Sequence, residues 1–165
     1  PSETNLFLPM IELLKISQKT IPNFAGIKYT HDDFADFKLC TDFFDGKHEI
    51  FFGRDESLID GLKIGAKSAV GSTYNIMAPL YDELIKSFLS EDLNCANELQ
   101  QISKKTCSLL YATGSFRAGL KAVMRMIGID LGNNRAPDLN ISSKTINELE
   151  SSLQSIGMLN FLNKV

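Results

Sequence analysis

Phe24-Ala25-Gly26-Ile27-Lys28-Tyr29-Thr30 decides how the rest of this chain is read. The run is short, apolar and β-prone, with Pro22-Asn23 before it and His31-Asp32-Asp33 after it. Such a segment between polar flanks predicts a buried strand that opens directly into a helix. Side chains alternate with period two along a strand, so Lys28 and Thr30 share one face while Ile27 and Tyr29 share the other. A lysine on a buried strand is costly unless it is paired, deprotonated or put to chemical use. Lys28 is therefore the candidate catalytic amine. From pattern alone the blander reading, a snorkelling or salt-bridged lysine near a strand end, is the commoner one.

Working outward, Pro1 to Asn5 reads as a loop. A helix follows from near Pro9, a residue tolerated in a first helical turn, with Met10, Ile11 and Leu14 inside. After the Lys28 strand, Asp32 or Asp33 can cap a helix whose apolar positions are Phe34, Phe37, Cys40 and Phe44. Asp45-Gly46 is a turn signal before a second strand, Glu49-Ile50-Phe51-Phe52-Gly53. Arg54-Asp55-Glu56-Ser57 leads into a third helix carrying Leu58, Ile59 and Leu62, closed near Gly65. Ser68 to Thr73 reads as a third strand. Pro79 is then expected to start a fourth helix with Leu80, Leu84, Ile85 and Phe88 inward. This alternation is the signature of a parallel α/β sheet or barrel.

From Leu93 onward every segment reads as helix. The first spans about Leu93 to Ala112, with Ala96, Leu99, Ile102 and Leu109 or Leu110 on one side. The second runs from Phe116 to Ile127, with Leu120, Val123, Met124 and Ile127 inward. In the last, Thr145 and Glu148 are a candidate capping box and Gly157 a stop. The expected organisation is thus about three βα units over residues 1–92 and a helical extension over residues 93–165. Three parallel strands cannot close a barrel and would leave two edges open. Either other strands come from elsewhere, or this is the last part of a longer (β/α) barrel, which agrees with a chain opening at Pro1.

Composition excludes several function classes. Among 165 residues, 44% are hydrophobic and 22% charged, ordinary for a globular domain. A net charge of -3 gives no electrostatic reason to expect nucleic acid or an anionic membrane as partner. No apolar run approaches the roughly 20 residues of a membrane span, and no signal peptide opens the chain. Cys40, Cys95 and Cys107 are widely spaced and fit neither a zinc site nor a disulfide framework, so reduced thiols and a cytoplasmic setting are expected. His31 and His48 have no metal-site spacing.

In a barrel, residues at the C-terminal ends of strands and in the loops that follow line the active site. That rule selects Lys28 and Thr30, then Gly53, Asp55 and Glu56, then Gly71, Ser72 and Thr73, from three successive βα junctions. An amine among apolar walls loses its proton more easily and becomes a nucleophile towards a carbonyl carbon. The product, a Schiff base, is an electron sink that permits cleavage of a neighbouring carbon–carbon bond. Gly53 lets a ligand approach the backbone, Asp55 and Glu56 offer acceptors to hydroxyl groups, and Ser72 offers both donor and acceptor. Each has a plainer reading. Asp55-Glu56 also suits a helix N-terminus, and Ser72 or Thr73 a helix cap. Arg117, Lys121 and Arg125, four residues apart, read most simply as a solvated helix face.

Taken in order, these residues resemble the N-acetylneuraminate lyase branch of the pyruvate-dependent class I aldolases, a superfamily that also contains dihydrodipicolinate synthase. The pieces that carry the resemblance are Gly26-Ile27-Lys28-Tyr29-Thr30, Phe52-Gly53-Arg54-Asp55-Glu56 and Val70-Gly71-Ser72-Thr73-Tyr74-Asn75-Ile76-Met77. Gly114-Ser115-Phe116-Arg117 with Gly119-Leu120-Lys121 resembles the family's C-terminal helical region. Gly71 to Asn75 points to the sialate branch. The resemblance covers essentially the whole chain, as the latter part of a longer family member.

The resemblance implies a (β/α)₈ TIM barrel with extra C-terminal helices, a homotetramer, and reversible cleavage of N-acetylneuraminate to N-acetylmannosamine and pyruvate. It implies no cofactor beyond the covalent Schiff base, and no metal. Carried over by motif, Lys28 is the Schiff-base lysine, and Thr30, Gly53, Asp55, Glu56 and Ser72 hold the hydroxylated part of the substrate. In relatives a carboxylate-binding loop and a proton-transfer tyrosine lie upstream, and neither Tyr29 nor Tyr74 matches that tyrosine's position. The 165 residues alone are therefore expected to be inactive. Two other readings stay open within the fold: a sister pyruvate-dependent aldolase acting on another 2-keto acid, and a non-catalytic sugar-acid-binding paralogue. A helical interaction module has only the segment after Leu93 in its favour.

Overall fold

Tyr29 and Phe37 draw the first strand and the next helix together. The computed structural model describes residues 6–43 and 47–164, so the expected loop Pro1 to Asn5, Phe44 and the Asp45-Gly46 turn lie outside the described residues. The chain falls into two compact units, Pro1–Val70 and Gly71–Val165. Its class is α/β, mostly helical, with one small parallel sheet among the described residues.

In the first unit, β1 (Gly26–Tyr29) pairs in parallel with β2 (Glu49–Phe52), in a register running from Gly26↔Glu49 to Tyr29↔Phe52. Parallel neighbours need a crossover, and α2 (Phe34–Asp42) supplies it. Its first turn is closed by Asp33, which accepts from the Asp36 backbone N–H at 3.0 Å, so the second of the two candidate caps is the one used. The Phe37 ring stands edge-on to Tyr29 at 5.4 Å and to Phe52 at 5.3 Å, and all three are buried. Full burial of each such ring contributes roughly 1.5–3 kcal/mol. At the start of the ladder a Cβ on Gly26 would run into the Glu49 carbonyl, so the two strands meet there only because Gly26 has no side chain.

The period-two reading holds in outline, with one correction. Tyr29 is buried as expected, but Lys28 and Thr30 are exposed, and so is Phe51, which pairs with Lys28. The strand is therefore half-buried: α2 covers the Tyr29–Phe52 face, and the Lys28 face is left open within the described residues of this unit.

Helix α1 (Met10–Thr20) buries Leu14 and Ser17 completely or nearly so, with Met10 and Ile11 half-buried. Pro9 at its N-cap makes no side-chain cap bond; the carboxylate of Asp36, from α2, accepts from Met10 N at 2.8 Å instead. The third strand shrinks to a single parallel bridge, Phe52↔Ala69, in which Phe52 N donates to Ser68 O and Val70 N to Phe52 O. Between β2 and this bridge lie a 3₁₀ turn at Asp55–Ser57 and helix α3 (Leu58–Lys63), with Leu58 and Ile59 buried, Leu62 half-buried and Gly65 at φ +100°.

The second unit is helical: α4 (Tyr74–Leu89), α5 (Leu93–Ala112), α6 (Phe116–Met126) and α7 (Ser143–Ser155). The segment α4 is two helices joined across a kink at Met77, which leaves helical geometry at φ −142°, ψ 43°, and Pro79 lies in the first turn of the longer second one, as expected of a helix start. A proline in a helix lacks the N–H that would bond the carbonyl four residues back, here that of Asn75. Asn163 fills the gap. Its Nδ2 donates to Asn75 O at 2.8 Å and to Tyr74 O at 3.1 Å, its Oδ1 accepts from Ala78 N at 2.7 Å, and its backbone N–H donates to Ile76 O at 2.9 Å.

The α4 stripe is Ile76, Met77, Leu80, Tyr81 and Leu84; Ile85 and Phe88 are half-buried. Asp92 caps α5, whose Ala96, Leu99 and Leu110 are buried. In α6 the buried residues are Ala118, Gly119, Ala122 and Val123, so small side chains rather than Leu120, Met124 and Ile127 take the tightest positions. The expected capping box at Thr145 and Glu148 is replaced by Ser142, which accepts from Thr145 N at 3.1 Å. The basic face of α6 clasps the following loop: Arg117 bonds Asp138, Arg125 bonds Asp130, and Lys121 donates to Asn133 O.

Candidate active site

Residues of β1 and β2 meet at their C-terminal ends, and Gly53 sets how closely. Gly53 N donates to Tyr29 O at 2.8 Å, which extends the parallel ladder one step past β2. A Cβ at position 53 would lie 2.9 Å from that same carbonyl and 3.0 Å from Lys28 Cε, and would collide with Thr30 Oγ1. The absent side chain is therefore what gives the Lys28 stem and the Thr30 hydroxyl their places on the open face. Lys28, Thr30 and Gly53 form one constellation.

Asp55 and Glu56 follow directly in the 3₁₀ turn, in different surroundings. Asp55 is 7% exposed, whereas the Glu56 side chain is 38% exposed. Arg54, assigned no role from sequence, grips Glu56 Oε1 with Nε at 3.1 Å and Nη2 at 3.0 Å, and reaches Asp32 Oδ2 with Nη1 at 3.4 Å. His31 Nδ1 lies 3.0 Å from Asp32 Oδ1. A hydrogen bond from backbone N–H, then the charges of Arg54 and His31, hold Asp32 below the usual carboxylate range. Ser72 is exposed and belongs to the second unit, just ahead of α4, where its carbonyl accepts from Asn75 Nδ2 at 3.0 Å. Thr73 is no side-chain cap; its hydroxyl bonds Tyr81 OH at 2.6 Å in a buried pair.

Beneath β1, Tyr29 OH donates to Asp33 O at 2.7 Å and to Asp36 Oδ2 at 3.2 Å. Burial, then the charge and hydrogen bond of Asp36, raise the Tyr29 phenol well above its ordinary range, so it stays protonated as a structural donor. Burial and then Asp36 push the Cys40 thiol up to about 12. Asp36 and Arg54 were both missed in the sequence. Asp36 occupies a helix position where an acid reads as solvated, and Arg54 stands beside two stronger candidates. No three His, Cys, Asp or Glu side chains gather as a metal site among the described residues.

The sequence profile described as the dihydrodipicolinate synthetase family matches residues 1–156. The chain belongs to the dihydrodipicolinate synthetase family. Among family members it is 33% identical to N-acetylneuraminate lyase of Gallus gallus over 158 residues, which cover 94% of this chain and 51% of that protein. The solved structure of Proteus mirabilis N-acetylneuraminate lyase superposes with a TM-score of 0.90 at 34% identity, covering 98% of this chain and 53% of that one. For N-acetylneuraminate lyase (sialic acid aldolase) of Aliivibrio salmonicida the values are 0.88 and 31%, over 96% and 52%. The chain thus spans about half the length of the relatives it matches.

Proposed function

We propose that this chain is the Lys28-bearing part of a class I aldolase that cleaves N-acetylneuraminate to N-acetylmannosamine and pyruvate. The observation that carries the reading is the Lys28–Thr30–Gly53 constellation: a primary amine on the open face of a parallel strand pair, its stem laid beside a glycine that leaves room for it. Similarity to N-acetylneuraminate lyases across nearly the whole chain supports the substrate assignment. In this reading residues 1–92 contribute the last βα units of a TIM barrel, residues 93–165 pack on it as helices, and the protein works as a homotetramer. The open Lys28 face becomes barrel interior.

Lys28 Nζ attacks the 2-keto carbon of the open-chain sugar acid, and loss of water gives an iminium ion. The bond between C3 and C4 then breaks. Its electron pair moves into the iminium to form an enamine, while the C4 hydroxyl gives up its proton and becomes the aldehyde of N-acetylmannosamine. Protonation of the enamine at C3 gives the pyruvate iminium, whose hydrolysis consumes one water in place of the one lost at the start, releases pyruvate and restores the amine. Thr30, Asp55, Glu56 and Ser72 hold the hydroxylated portion, and Gly53 lets it approach the backbone. No metal or organic cofactor takes part.

Borohydride trapping with pyruvate, followed by peptide mapping, tests the reading. A reduced adduct on Lys28, lost in Lys28→Ala, is expected from the protein that carries this chain together with the rest of its barrel. Absence of any adduct there would end the aldolase reading. A panel of 2-keto sugar acids then separates N-acetylneuraminate cleavage from a sister activity. Binding of the sugar acid without turnover would mark a non-catalytic paralogue.

A further inference from the structure

We propose that Arg54 is a positioning residue that fixes the Glu56 carboxylate for a hydroxyl group of the substrate and so sets how tightly the polyol half is held. This rests on the reading of Glu56 as a substrate-binding residue. Arg54 follows β2 and Gly53 directly, and its guanidinium lies between two carboxylates carried by different βα junctions. Two of its N–H groups, Nε at 3.1 Å and Nη2 at 3.0 Å, converge on the single oxygen Oε1 of Glu56. Two donors on Oε1 restrain that oxygen from two directions, where a single ammonium contact would restrain it from one. The opposite end of the guanidinium is tethered by Asp32 at 3.4 Å, and Asp32 in turn by His31 at 3.0 Å.

The chemistry of the cluster argues for orientation over stability. The Arg54 side chain is 26% exposed and those of Glu56 and Asp32 are 38% and 68% exposed, so the pairs are solvated and add little to folding. What they change is the freedom of Glu56. A free glutamate spreads over many rotamers, and ordering it on binding opposes affinity. A glutamate already held meets the ligand without that loss. Arg54 itself is satisfied by two acids, which leaves it no free charge for a substrate carboxylate. It acts through Glu56 and does not touch the substrate.

The test compares Arg54→Met and Arg54→Lys with the parent in the complete enzyme. In Arg54→Met, KM for the sugar acid rises about tenfold, the effect of one lost hydrogen bond of orientation, while kcat changes less than twofold. Arg54→Lys falls between, because an ammonium reaches one acid but cannot fork on Oε1. Trapping of pyruvate on Lys28 stays at the parent rate in both, since pyruvate lacks the polyol. A crystal structure of Arg54→Met shows Glu56 displaced or disordered. Unchanged KM, or Glu56 in its original rotamer, would overturn the role of Arg54. A parent enzyme that traps no pyruvate would defeat the lyase reading instead, and the Glu56 rotamer in Arg54→Met would still decide whether Arg54 holds it.

Discussion

Gly53→Ala tests whether the lysine's place is set by a missing side chain. The new Cβ would lie 2.9 Å from the Tyr29 carbonyl oxygen and 3.0 Å from Lys28 Cε, and would overlap Thr30 Oγ1. Thr30 and Lys28 are exposed side chains that can swing aside. The Tyr29 carbonyl cannot, because it is backbone of β1 and already accepts from Gly53 N at 2.8 Å. Relief therefore requires the ladder to open by a few tenths of an ångström or the lysine to be pushed off its line. Overpacking of this kind costs about 1–3 kcal/mol. The stability loss should sit near the low end, since two of the three neighbours move freely. The chemical loss should be larger, because displacement of a reacting group by about 1 Å can lower the rate roughly a hundredfold. Urea unfolding reads the first quantity and the rate of borohydride trapping with pyruvate the second. A variant that traps at the parent rate, with an unchanged midpoint, would refute the argument that Gly53 shapes the site.

Asn163→Ala removes the side chain that closes the Met77 kink and leaves Ala78 N–H, Tyr74 O and Asn75 O to water. At roughly 0.5–1 kcal/mol for each of these three partly solvated bonds, a destabilisation of about 1.5–3 kcal/mol is expected in chemical denaturation. Asn163→Asp should be worse, since a carboxylate would face two carbonyl oxygens. Asp36→Ala leaves Met10 N–H without its acceptor and the Tyr29 hydroxyl with the Asp33 carbonyl alone, and about 1–2 kcal/mol should be lost. Cys40 titrates near 9 in the unfolded chain and is pushed up to about 12 when folded, so the folded state holds its proton more tightly. Its contribution is full below pH 9 and is lost as pH rises through about 12, and stability measured across that window should fall less in Cys40→Ala.

The sequence was most legible where one physical rule governed a segment. Period two along Phe24 to Thr30 sorted Tyr29 from Lys28, and helical spacing in α5 identified Ala96 and Leu99, leaving the structure to decide for Leu110 over Leu109. It was least legible where a distant residue supplied what the local chain lacked. Pro79 reads as a helix start and does stand in the first turn after the Met77 kink, but the turn that precedes the kink is joined to it by Asn163, 84 residues beyond Pro79 (163 − 79). In the same way Pro9 offers no cap to α1, and Asp36 provides one from the next helix but one element away. The α6 stripe was right at Val123 and misplaced at Leu120, Met124 and Ile127 for a different reason. Periodicity ranks large apolar residues, but Gly119 has Leu110 Cδ2 and Thr113 Oγ1 3.2 Å from where its Cβ would be, so close helix approach selected the small ones.

The same contrast separates the two acids of the candidate site, which the sequence treats as a pair. Asp55 is nearly enclosed in the 3₁₀ turn, while Glu56 reaches the surface and is held by Arg54. An enclosed carboxylate acts first on its own loop, and its removal should disturb the turn that carries both residues. An exposed, oriented carboxylate acts on whatever enters the open face. Asp55→Asn is thus expected to lower stability and affinity together, whereas Glu56→Gln should raise KM with the unfolding midpoint unchanged. Comparing those two readouts across the two variants in the complete enzyme assigns the roles. If Glu56→Gln unfolds earlier and Asp55→Asn does not, the division drawn from their burial is wrong.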